Sequence, residues 1–531
     1  PPIRAAPRAG PPGRIAGQGA DSRRRDDRLP DEEAHVSHLH RSADVIAPRS
    51  PFYQGPFGRL FPELDGWRPP GVPDHELDEH FLRIANDRMS ERPTVNPGEL
   101  SNPADVEALE TEIGSAIPAG YTYFGQFVDH DVTFDPTSSL QRSTDPSGLL
   151  NFRTPRLDLD CLYGRGPADQ PYLYTDGGRR FLIGTATGCG LPDLPRNSEG
   201  RALIGDMRND ENVMVSQLQL AFLLAHNELV TRAEQAGAGD PFEAARRTLR
   251  WLYQWLVWND FLSRLTDVSI WASALRLTTG SDGPVRWDRG LRAVYDWKHQ
   301  PFMPVEFSAA AYRFGHSMVR NSYRPNDPHA PCPGGFTPIF DNTGTDDPED
   351  LRGFRAVSAR NVLQWDRFLP MGSEQDGAPQ LARLLDTRLA NALATLHEGH
   401  AGAPLNVLDF RNLRRGVALG LPAGTAVARR LGLVPLDLDD GEPDSLWFYV
   451  LREAEAVGGG RLGSVGSTIV AATFAGLLGG DRSSFFRAEP NWHPSTDELL
   501  RDGDANVDDP TWTLASIIRL SGLPVNGDDF G

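Results

Sequence analysis

Long apolar runs with helical spacing dominate the middle of the chain. Residues 213–236 (VMVSQLQLAFLLAHNELVTRAEQA) are apolar on nearly every face, which predicts a central buried helix. Residues 242–265 predict a second long helix, and 307–323 and 379–400 predict two more. Shorter helices are expected at GTAVARRLGL and STIVAATFAGLL, whereas strand-like segments are short and scattered. The pattern therefore predicts an all-α (mainly α) fold with a single large helical domain and few short strands.

The first 50 residues differ from the rest of the chain in composition. They are rich in Pro, Gly and Arg and hold almost no large apolar side chains. Such a segment cannot bury enough apolar surface to offset the entropy lost on ordering. Residues 1–50 are therefore predicted to form a flexible N-terminal arm. Residues 51–531 are predicted to form one domain, because aromatic residues appear from SPFYQGPFGRLF onward.

Charge and cysteine content exclude several classes of protein. The chain has 531 residues and a formal net charge of -19, which disfavours a nucleic-acid partner or an anionic membrane surface. Its three cysteines, Cys161, Cys189 and Cys332, are too few for a disulfide framework. The longest apolar run, near residues 467–480, is too short and too rich in glycine to span a bilayer. A soluble protein with no transmembrane segment is expected.

The stretch GQFVDHDVTFDP, residues 125–136, sets polar side chains among apolar ones. As a helix, at about 100° per residue, it would place Gln126, Asp129 and His130 within about 100° of one another. Asp131 would point about 160° away from Asp129. One face thus offers an amide, a carboxylate and an imidazole to a single pocket, and the other offers a lone carboxylate to a second site. The alternative is that these groups form local hydrogen bonds that support a loop.

A second acidic stretch, TPRLDLDCLYG (154–164), is a candidate partner for Asp131. In an extended loop its alternate residues point to one side, which gathers Thr154, Arg156, Asp158 and Asp160. Carboxylates, a hydroxyl and backbone carbonyls are the ligands that Ca²⁺ takes in proteins. The stretch lacks the glycine and the glutamate of an EF-hand loop, and taken alone it fits a polar turn better.

Two further stretches place polar residues in or next to apolar helices. GDMRNDEN (205–212) sets Arg208 and Glu211 on one helical face at the start of the long apolar helix. Glu211 fits a complement to the helix dipole, whereas the arginine is harder to explain by packing. AYRFGHSMV (311–319) sets His316 in an apolar helix, where a satisfied core histidine is the common case. His226, in FLLAHNELV, is interpreted as structural.

Other short motifs indicate little chemistry. HVSHLH (35–40) could hold zinc through its three histidines, but it lies in the predicted arm. HEGH (397–400) lacks the HExxH spacing of zinc proteases. GGGRLGSVG (458–466) lacks the lysine of a P-loop and predicts a turn before a helix. The chain has no G-x-S-x-G nucleophile motif.

Taken together, these segments resemble those of the animal-type haem peroxidases, the peroxidase–cyclooxygenase superfamily. GQFVDHD resembles the family's distal-helix motif, TPRLDLDCLYG its calcium loop, GDMRNDEN its distal arginine segment and YRFGHSMV its proximal histidine helix. NLRRGVALGLP (412–422) resembles the segment whose asparagine supports the proximal histidine, and GGRLGSVGSTIVA a late block. The motifs keep the family's order within a core of about residues 105–480.

The resemblance implies a role for each matching residue. His130 would be the distal acid–base group, Gln126 would line the same pocket, and Arg208 would be the distal arginine. His316 would bind the haem iron, and Asn412 would bond to its other ring nitrogen.

The same resemblance implies two cofactors, haem b and calcium. Asp129 and Glu211 match the residues that form ester bonds to haem in mammalian members of the family. The implied calcium ligands are Asp131, Thr154, Arg156 (through its carbonyl oxygen), Asp158 and Asp160.

Some positions depart from the family pattern. Asn212 replaces the methionine that a sulfonium link to haem would need. Residues 417–419 read Val-Ala-Leu where an Arg–Asp–His triplet is common, which weakens the assignment of Asn412. Asp160 stands where several relatives have serine.

The implied activity is reduction of hydrogen peroxide with oxidation of a small organic donor or a halide, through a high-valent iron–oxo intermediate. A haem-dependent fatty-acid dioxygenase of the same superfamily is one alternative. Such an enzyme needs a tyrosine three residues before the proximal histidine, where this chain has Arg313, and Tyr312 lies four before. A non-catalytic haem- and calcium-binding adhesion module is the other alternative, disfavoured by the complete distal set. A calcium site and peroxide chemistry favour an exported protein over a cytoplasmic one.

Overall fold

Helices and irregular segments make up most of the protein, and its strands are short. The computed structural model describes residues 57–90, 110, 113–134, 153, 156–278, 286–297, 301–327, 334–340, 350–372, 379–394, 396, 407–501 and 512–530. All of these residues belong to one compact unit, Val45–Gly531. The mainly α fold predicted from the sequence is confirmed. The predicted arm at residues 1–50, with its HVSHLH motif, and the HEGH motif lie outside the described residues.

The helices vary from single turns to more than six turns. The longer ones are Leu77–Ile84, Gly120–Val132, Val213–Gln235, Pro241–Leu256, Val268–Ala274, Leu408–Ala418, Gly424–Arg430, Leu446–Ala456, Ser464–Gly480 and Leu514–Ser521. Single turns of α-helix are Asp160–Tyr163, Ser263–Leu265, Val305–Ser308 and Phe485–Ala488. Two π-helical segments are Ala85–Met89 and Val257–Leu262, and the 3₁₀ segments that bear on the site are Met207–Asp210 and Ala311–His316.

The strands described form isolated pairs and no larger sheet. One pair is parallel, Phe57–Gly58 with Met303–Pro304. The antiparallel pairs are Gly114–Pro118 with Leu381–Arg383, Tyr174–Thr175 with Arg180–Phe181, Gly184–Thr185 with Pro192–Asp193, Leu275–Thr278 with Arg286–Arg289, and Ser322–Tyr323 with Thr337–Pro338.

Helix Val213–Gln235, here called the central helix, organises the core as predicted. Asn212 caps it, because its side-chain oxygen accepts a hydrogen bond from the Val215 amide at 2.9 Å. Helices Gly120–Val132, Pro241–Leu256 and Leu514–Ser521 pack around it. By length and composition the central helix could cross a membrane, but 83% of its most apolar window is buried inside the fold. Its apolar surface on all sides is thus explained by its place in the core.

The second predicted long helix, residues 242–265, is confirmed with a local change of winding. It begins at Pro241, where the Asp240 side chain accepts from the Glu243 amide, and continues through the π segment to Leu265. Helix Leu77–Ile84 was not predicted, although it packs on helix Leu408–Ala418.

Two predicted helices are wrong. Residues 307–323 form a single helical turn, a 3₁₀ segment and then a strand, because Ser322–Tyr323 pairs with Thr337–Pro338. Within the predicted helix 379–400, Leu381–Arg383 is a strand paired with Gly114–Pro118. In both cases pairing with another strand outweighs local helical propensity.

Candidate functional site

Helix Gly120–Val132, here called the His130 helix, is fixed by its apolar face. Phe127 stacks on Phe222 of the central helix with ring centroids 4.6 Å apart. Because this face is buried against the core, the polar residues leave the helix in two other directions. His130 turns toward the segment that precedes the central helix, and Asp131 turns toward the acidic stretch at 158–160. The helical interpretation of this stretch is confirmed, and His130 and Asp131 point in different directions.

The imidazole of His130 is buried, and both of its ring nitrogens have polar neighbours. Nδ1 lies 2.7 Å from the side-chain oxygen of Asn209, and the Asn209 amide donates to Gln219 Oε1 at 2.7 Å. Nε2 lies 3.6 Å from a carboxylate oxygen of Glu211. When Nδ1 carries the proton to Asn209, Nε2 holds a lone pair that can accept a proton.

The surroundings of His130 keep its ring neutral. Burial lowers the pKa of His130 to about 4, and the positive charge of Arg208 acts in the same direction. Asp206 and Asp129 act in the opposite direction but do not outweigh burial. A histidine with this pKa is a neutral base throughout the physiological pH range.

Gln126 links the His130 helix to the start of the central helix. Its amide nitrogen donates to Glu211, and its oxygen accepts from the Asn212 side chain at 3.0 Å. Glu211 and Arg208 had been expected at the start of the central helix. Arg208 instead lies in the 3₁₀ turn Met207–Asp210, and Glu211 directly follows that turn. The turn ends before the central helix begins.

The guanidinium of Arg208 lies at the C-terminal end of the His130 helix. Its Nη2 donates to the backbone oxygens of His130 at 3.0 Å and Thr133 at 2.7 Å, and it pairs with Asp206 at 2.8 Å. The guanidinium carbon lies 4.5 Å from the ring centroid of Phe134. These contacts hold a positive charge beside His130.

His316 ends a 3₁₀ segment rather than lying within a helix. The Asn412 amide lies 3.0 Å from its Nδ1, and a half-turn of that amide places the oxygen there as an acceptor. Among the described residues, nothing forms a hydrogen bond with Nε2. Burial lowers the pKa of His316 to about 3, and Arg313, Arg411 and Arg415 act in the same direction. The ring is therefore neutral, with Nε2 available as a ligand atom.

Tyr312 connects the two histidine regions. It lies in the 3₁₀ segment that ends at His316, and its hydroxyl donates to the backbone oxygen of Gly125 in the His130 helix at 3.3 Å. Its ring stacks on Phe307 with centroids 4.6 Å apart. The segment that carries His316 thus packs on the helix that carries His130.

Three carboxylates gather on the other side of the His130 helix. Oxygen atoms of Asp131, Asp158 and Asp160 lie within 4.8 Å of one another. Asp131 is fully buried and accepts from the backbone amides of Leu159 at 3.3 Å and Cys161 at 3.4 Å. Burial and, after it, the charge of Asp158 raise the pKa of Asp131 to about 7. A cluster of this kind is a candidate site for a hard cation.

Arg153 joins the carboxylate cluster to the arginine segment. It lies 3.4 Å from Asp160, and its Nε donates to Asp206 at 3.1 Å. Asp206 also accepts from Arg208. One buried carboxylate thus pairs with an arginine on each side of the His130 helix. Thr154 lies outside the described residues, and Arg156 is half-buried two residues before Asp158.

Most of the site residues predicted from the sequence are brought together, and three more take part. Asp129 is half-buried and accepts from the Thr133 hydroxyl at 2.8 Å. Asn209, Asp206 and Gln219 were missed, although all three are buried. A glutamine inside an almost wholly apolar helix was the available signal for Gln219, because a buried amide needs a partner.

Comparison with known sequences identifies a family. Residues 138–335 match the animal haem peroxidase family, and this segment contains Arg208, Glu211 and His316. A "Peroxidase-like protein" from Margaritifera margaritifera is 24% identical over 296 residues, which cover 43% of this chain and 35% of that protein. The chain thus matches about a third of the length of that relative.

Comparison with solved structures gives the same fold. Peroxidase A from Dictyostelium discoideum superposes with a TM-score of 0.56 at 15% identity, covering 89% of this chain and 94% of that one. A fatty acid alpha-dioxygenase from Oryza sativa gives 0.54 at 16% identity, covering 92% and 85%. One from Arabidopsis thaliana gives 0.52 at 14% identity, covering 88% and 76%. The chain thus matches the animal haem peroxidase family over residues 138–335 and shares its fold with these three solved structures.

Proposed function

We propose that this protein is a haem peroxidase that reduces hydrogen peroxide and oxidises a small organic donor or a halide. One observation carries the proposal: the site holds two neutral imidazoles, and each has its Nδ1 atom beside an asparagine amide. His130 and His316 therefore both keep Nε2 for chemistry. A base on one element and a ligand on another are the two roles that a haem peroxidase requires.

The residues around His316 fit a haem group. Its Nε2 is the ligand atom, and the neighbouring Gly315 leaves open space, since an added Cβ would meet nothing within 4 Å. Arg313, Arg411 and Arg415 bring positive charge to this region, which suits the two carboxylates of haem. Bound haem would supply an iron that coordinates peroxide and takes up its oxidising equivalents.

His130 would move the proton of the substrate. Its Nε2 would accept a proton from one oxygen of hydrogen peroxide and return it to the other oxygen, so that water leaves. Arg208, which donates to the His130 backbone oxygen, would supply positive charge as the O–O bond breaks. Gln126, fixed by Glu211 and Asn212, would orient water or a halide beside the same ring.

Asp129 and Glu211 are the candidates for ester bonds to haem. The Glu211 carboxylate already faces His130 Nε2, whereas Asp129 is turned toward Thr133 and would have to rotate. Haem that remains attached to the protein after extraction with acidified organic solvent supports these links. Complete extraction excludes the ester bonds and leaves the peroxidase proposal untouched.

Calcium is proposed as the cation of the carboxylate cluster. Three carboxylates crowded together, one of them fully buried, repel one another unless a proton or a cation intervenes. Asp131, Asp158 and Asp160 would supply side-chain oxygens, and Thr154 and Arg156 complete the proposed set. Metal analysis of the purified protein tests this, and one calcium per chain that is lost in Asp158→Asn is the expected result.

The absorption spectrum before and after one equivalent of hydrogen peroxide tests the proposed function. A Soret band that shifts within seconds is expected. A Soret band that peroxide leaves unchanged would point to a non-catalytic binding module. A chain that takes up no haem would contradict the proposal altogether.

The fatty-acid dioxygenase alternative is favoured by one observation, the position of Tyr312. The residue three before His316 is Arg313, but the neighbouring Tyr312 reaches the backbone of the His130 helix through its hydroxyl. A tyrosine between the two histidine regions could carry a radical. Oxygen uptake with a long-chain fatty acid, lost in Tyr312→Phe, would establish the dioxygenase reading. Peroxidase turnover that survives Tyr312→Phe, with no oxygen uptake, would reject it.

A further inference from the structure

We propose that Asn209 and Gln219 form a positioning relay that fixes His130 in the tautomer with the proton on Nδ1. The relay runs from the imidazole to the Asn209 side-chain oxygen at 2.7 Å, and from the Asn209 amide to Gln219 Oε1 at 2.7 Å. It deepens the proposed function, because it makes Nε2 the atom that accepts the proton. Neither residue touches the substrate side of the ring.

The relay is anchored in rigid structure at both ends. His130 lies in the last turn of its helix, and Gln219 lies two turns into the central helix. Asn209 is fully buried in the 3₁₀ turn between them. Because an unpaired buried amide is costly, Asn209 is restrained by its partners on both sides, and Gln219 is held through its oxygen. The ring can therefore rotate only if two further side chains also move.

The direction of the relay determines which nitrogen acts as the base. With its oxygen toward the ring, Asn209 accepts the Nδ1 proton, and its NH₂ group is satisfied by Gln219. With both amides reversed, Asn209 would donate to Nδ1, and the proton would move to Nε2. Only the first arrangement leaves Nε2 able to accept a proton from peroxide. The tautomer is thus a direct readout of the relay.

The other charged groups near His130 do not favour the tautomer with the proton on Nδ1. Arg208 and Asp206 lie on the segment before the central helix, and Asp129 lies on the same helix as His130. Glu211 faces Nε2 at 3.6 Å. A carboxylate facing Nε2 would attract a proton to that nitrogen, so the relay is needed to hold it on Nδ1.

Gln217 offers a matched control for Gln219. It is buried on the same helix, two residues earlier, and both ends of its amide form hydrogen bonds. Its nitrogen donates to the Asn361 oxygen at 2.9 Å, and its oxygen accepts from the Leu363 amide at 2.9 Å. Replacing either glutamine removes a buried amide from the central helix, but only Gln219 contacts the relay.

The test compares Asn209→Leu, Asn209→Asp, Gln219→Leu and Gln217→Leu in the full-length protein. We expect peroxide to react about tenfold or more slowly in Asn209→Leu and several-fold more slowly in Gln219→Leu, with no change in Gln217→Leu. Nitrogen-15 NMR of labelled histidine in the haem-free chain should show Nδ1–H on His130, identified by its absence in His130→Ala. Asn209→Leu should show a mixture of tautomers.

Asn209→Asp keeps the shape and the acceptor, so it should fold and preserve the tautomer. Its negative charge should raise the pKa of His130, because it stabilises the protonated ring. The acid limb of the peroxide reaction should therefore move to higher pH by about one unit or more. Cyanide binding to the ferric protein should show the same shift, since its proton also passes to the distal base.

Three results would overturn the relay. They are an unchanged tautomer and rate in Asn209→Leu, an acid limb that does not move in Asn209→Asp, or equal slowing by Gln217→Leu and Gln219→Leu. The NMR readout does not depend on haem. A chain that never binds haem would contradict the proposed function. The tautomer of His130 would still show whether the relay exists.

Discussion

The two histidine–asparagine pairs of the site are held by unequal amounts of structure. His130 belongs to a helix of 13 residues, and its partner Asn209 is itself fixed by Gln219. His316 ends a 3₁₀ segment of 6 residues, and its partner Asn412 reaches it from a separate helix. One ring is supported by a continuous buried network, and the other by a single amide.

The difference fits the roles proposed for the two rings. A ligand atom is restrained by its bond to the metal, so the protein needs only to present it in the correct protonation state. A general base forms no lasting bond to its substrate, and its orientation must come from the protein alone. The protein accordingly places more of its buried polar groups around His130 than around His316.

The largest expected effect comes from removing the imidazole of His316. In His316→Ala we expect loss of haem binding, because no bond replaces the one from Nε2. The Soret absorbance per chain after reconstitution measures this. His75→Ala is the control, since that side chain is 79% exposed on the surface. Full haem uptake by His316→Ala would mean that another residue is the ligand.

Removal of the distal base should leave haem in place but slow the chemistry. In His130→Ala we expect a normal Soret band and a reaction with peroxide slower by about two or more orders of magnitude. Stopped-flow absorbance measures the rate. A rate close to that of the wild type would contradict the acid–base role of His130.

The single support of the proximal ring can be tested through Asn412. Asn412→Leu should weaken haem binding by about tenfold to a hundredfold, because the ring loses the partner that sets its tautomer. Asn412→Asp keeps an acceptor and should restore most of the affinity. Competition for haem with an apo-haem-binding protein measures both variants. Equal affinity in wild type and Asn412→Leu would remove Asn412 from the site.

The smallest effect on the chemistry of the site is expected from Asp409, because its substitution changes the stability of the helix that carries Asn412. Asp409 lies one turn before Asn412, and burial raises its pKa to about 8. Its folded pKa exceeds its unfolded value of about 4, so its stabilising contribution is complete below about pH 4 and is lost as the pH rises through about 8. Asp409→Asn cannot ionise and should gain up to about 4 kcal/mol over the wild type at pH 9 relative to pH 5, since the linkage extends over about three pKa units at about 1.4 kcal/mol each. Urea unfolding measures this, with the exposed Asp437→Asn as control.

The sequence was most informative where periodicity and chemistry coincide. For residues 124–132 a helix was one of two interpretations, and helical spacing then placed Asp131 away from Asp129. The proximal segment was predicted wrongly, because strand pairing with Thr337–Pro338 has no local signal in residues 307–323. The pairing of Asn412 with His316 spans 96 residues, so it followed only from the family resemblance.

Neutral amides were the least visible residues of the site. Asn209 follows Arg208 in a stretch whose charged residues carry the sequence prediction. An amide has no pKa to perturb, and no spacing rule predicts its partner. The buried relay to Gln219 could be recognised only when the central helix was placed against the 3₁₀ turn.

Arg208 also closes the open end of the helix that carries the base. The final carbonyl groups of a helix have no partner within it, and a cation there opposes the negative end of the helix dipole. Nη2 of Arg208 donates to one of these oxygens, on His130, and to the oxygen of Thr133, which directly follows the helix. Replacing the arginine would therefore fray the last turn as well as remove a charge. Faster amide hydrogen exchange in that turn would reveal how much of a kinetic defect is due to unwinding.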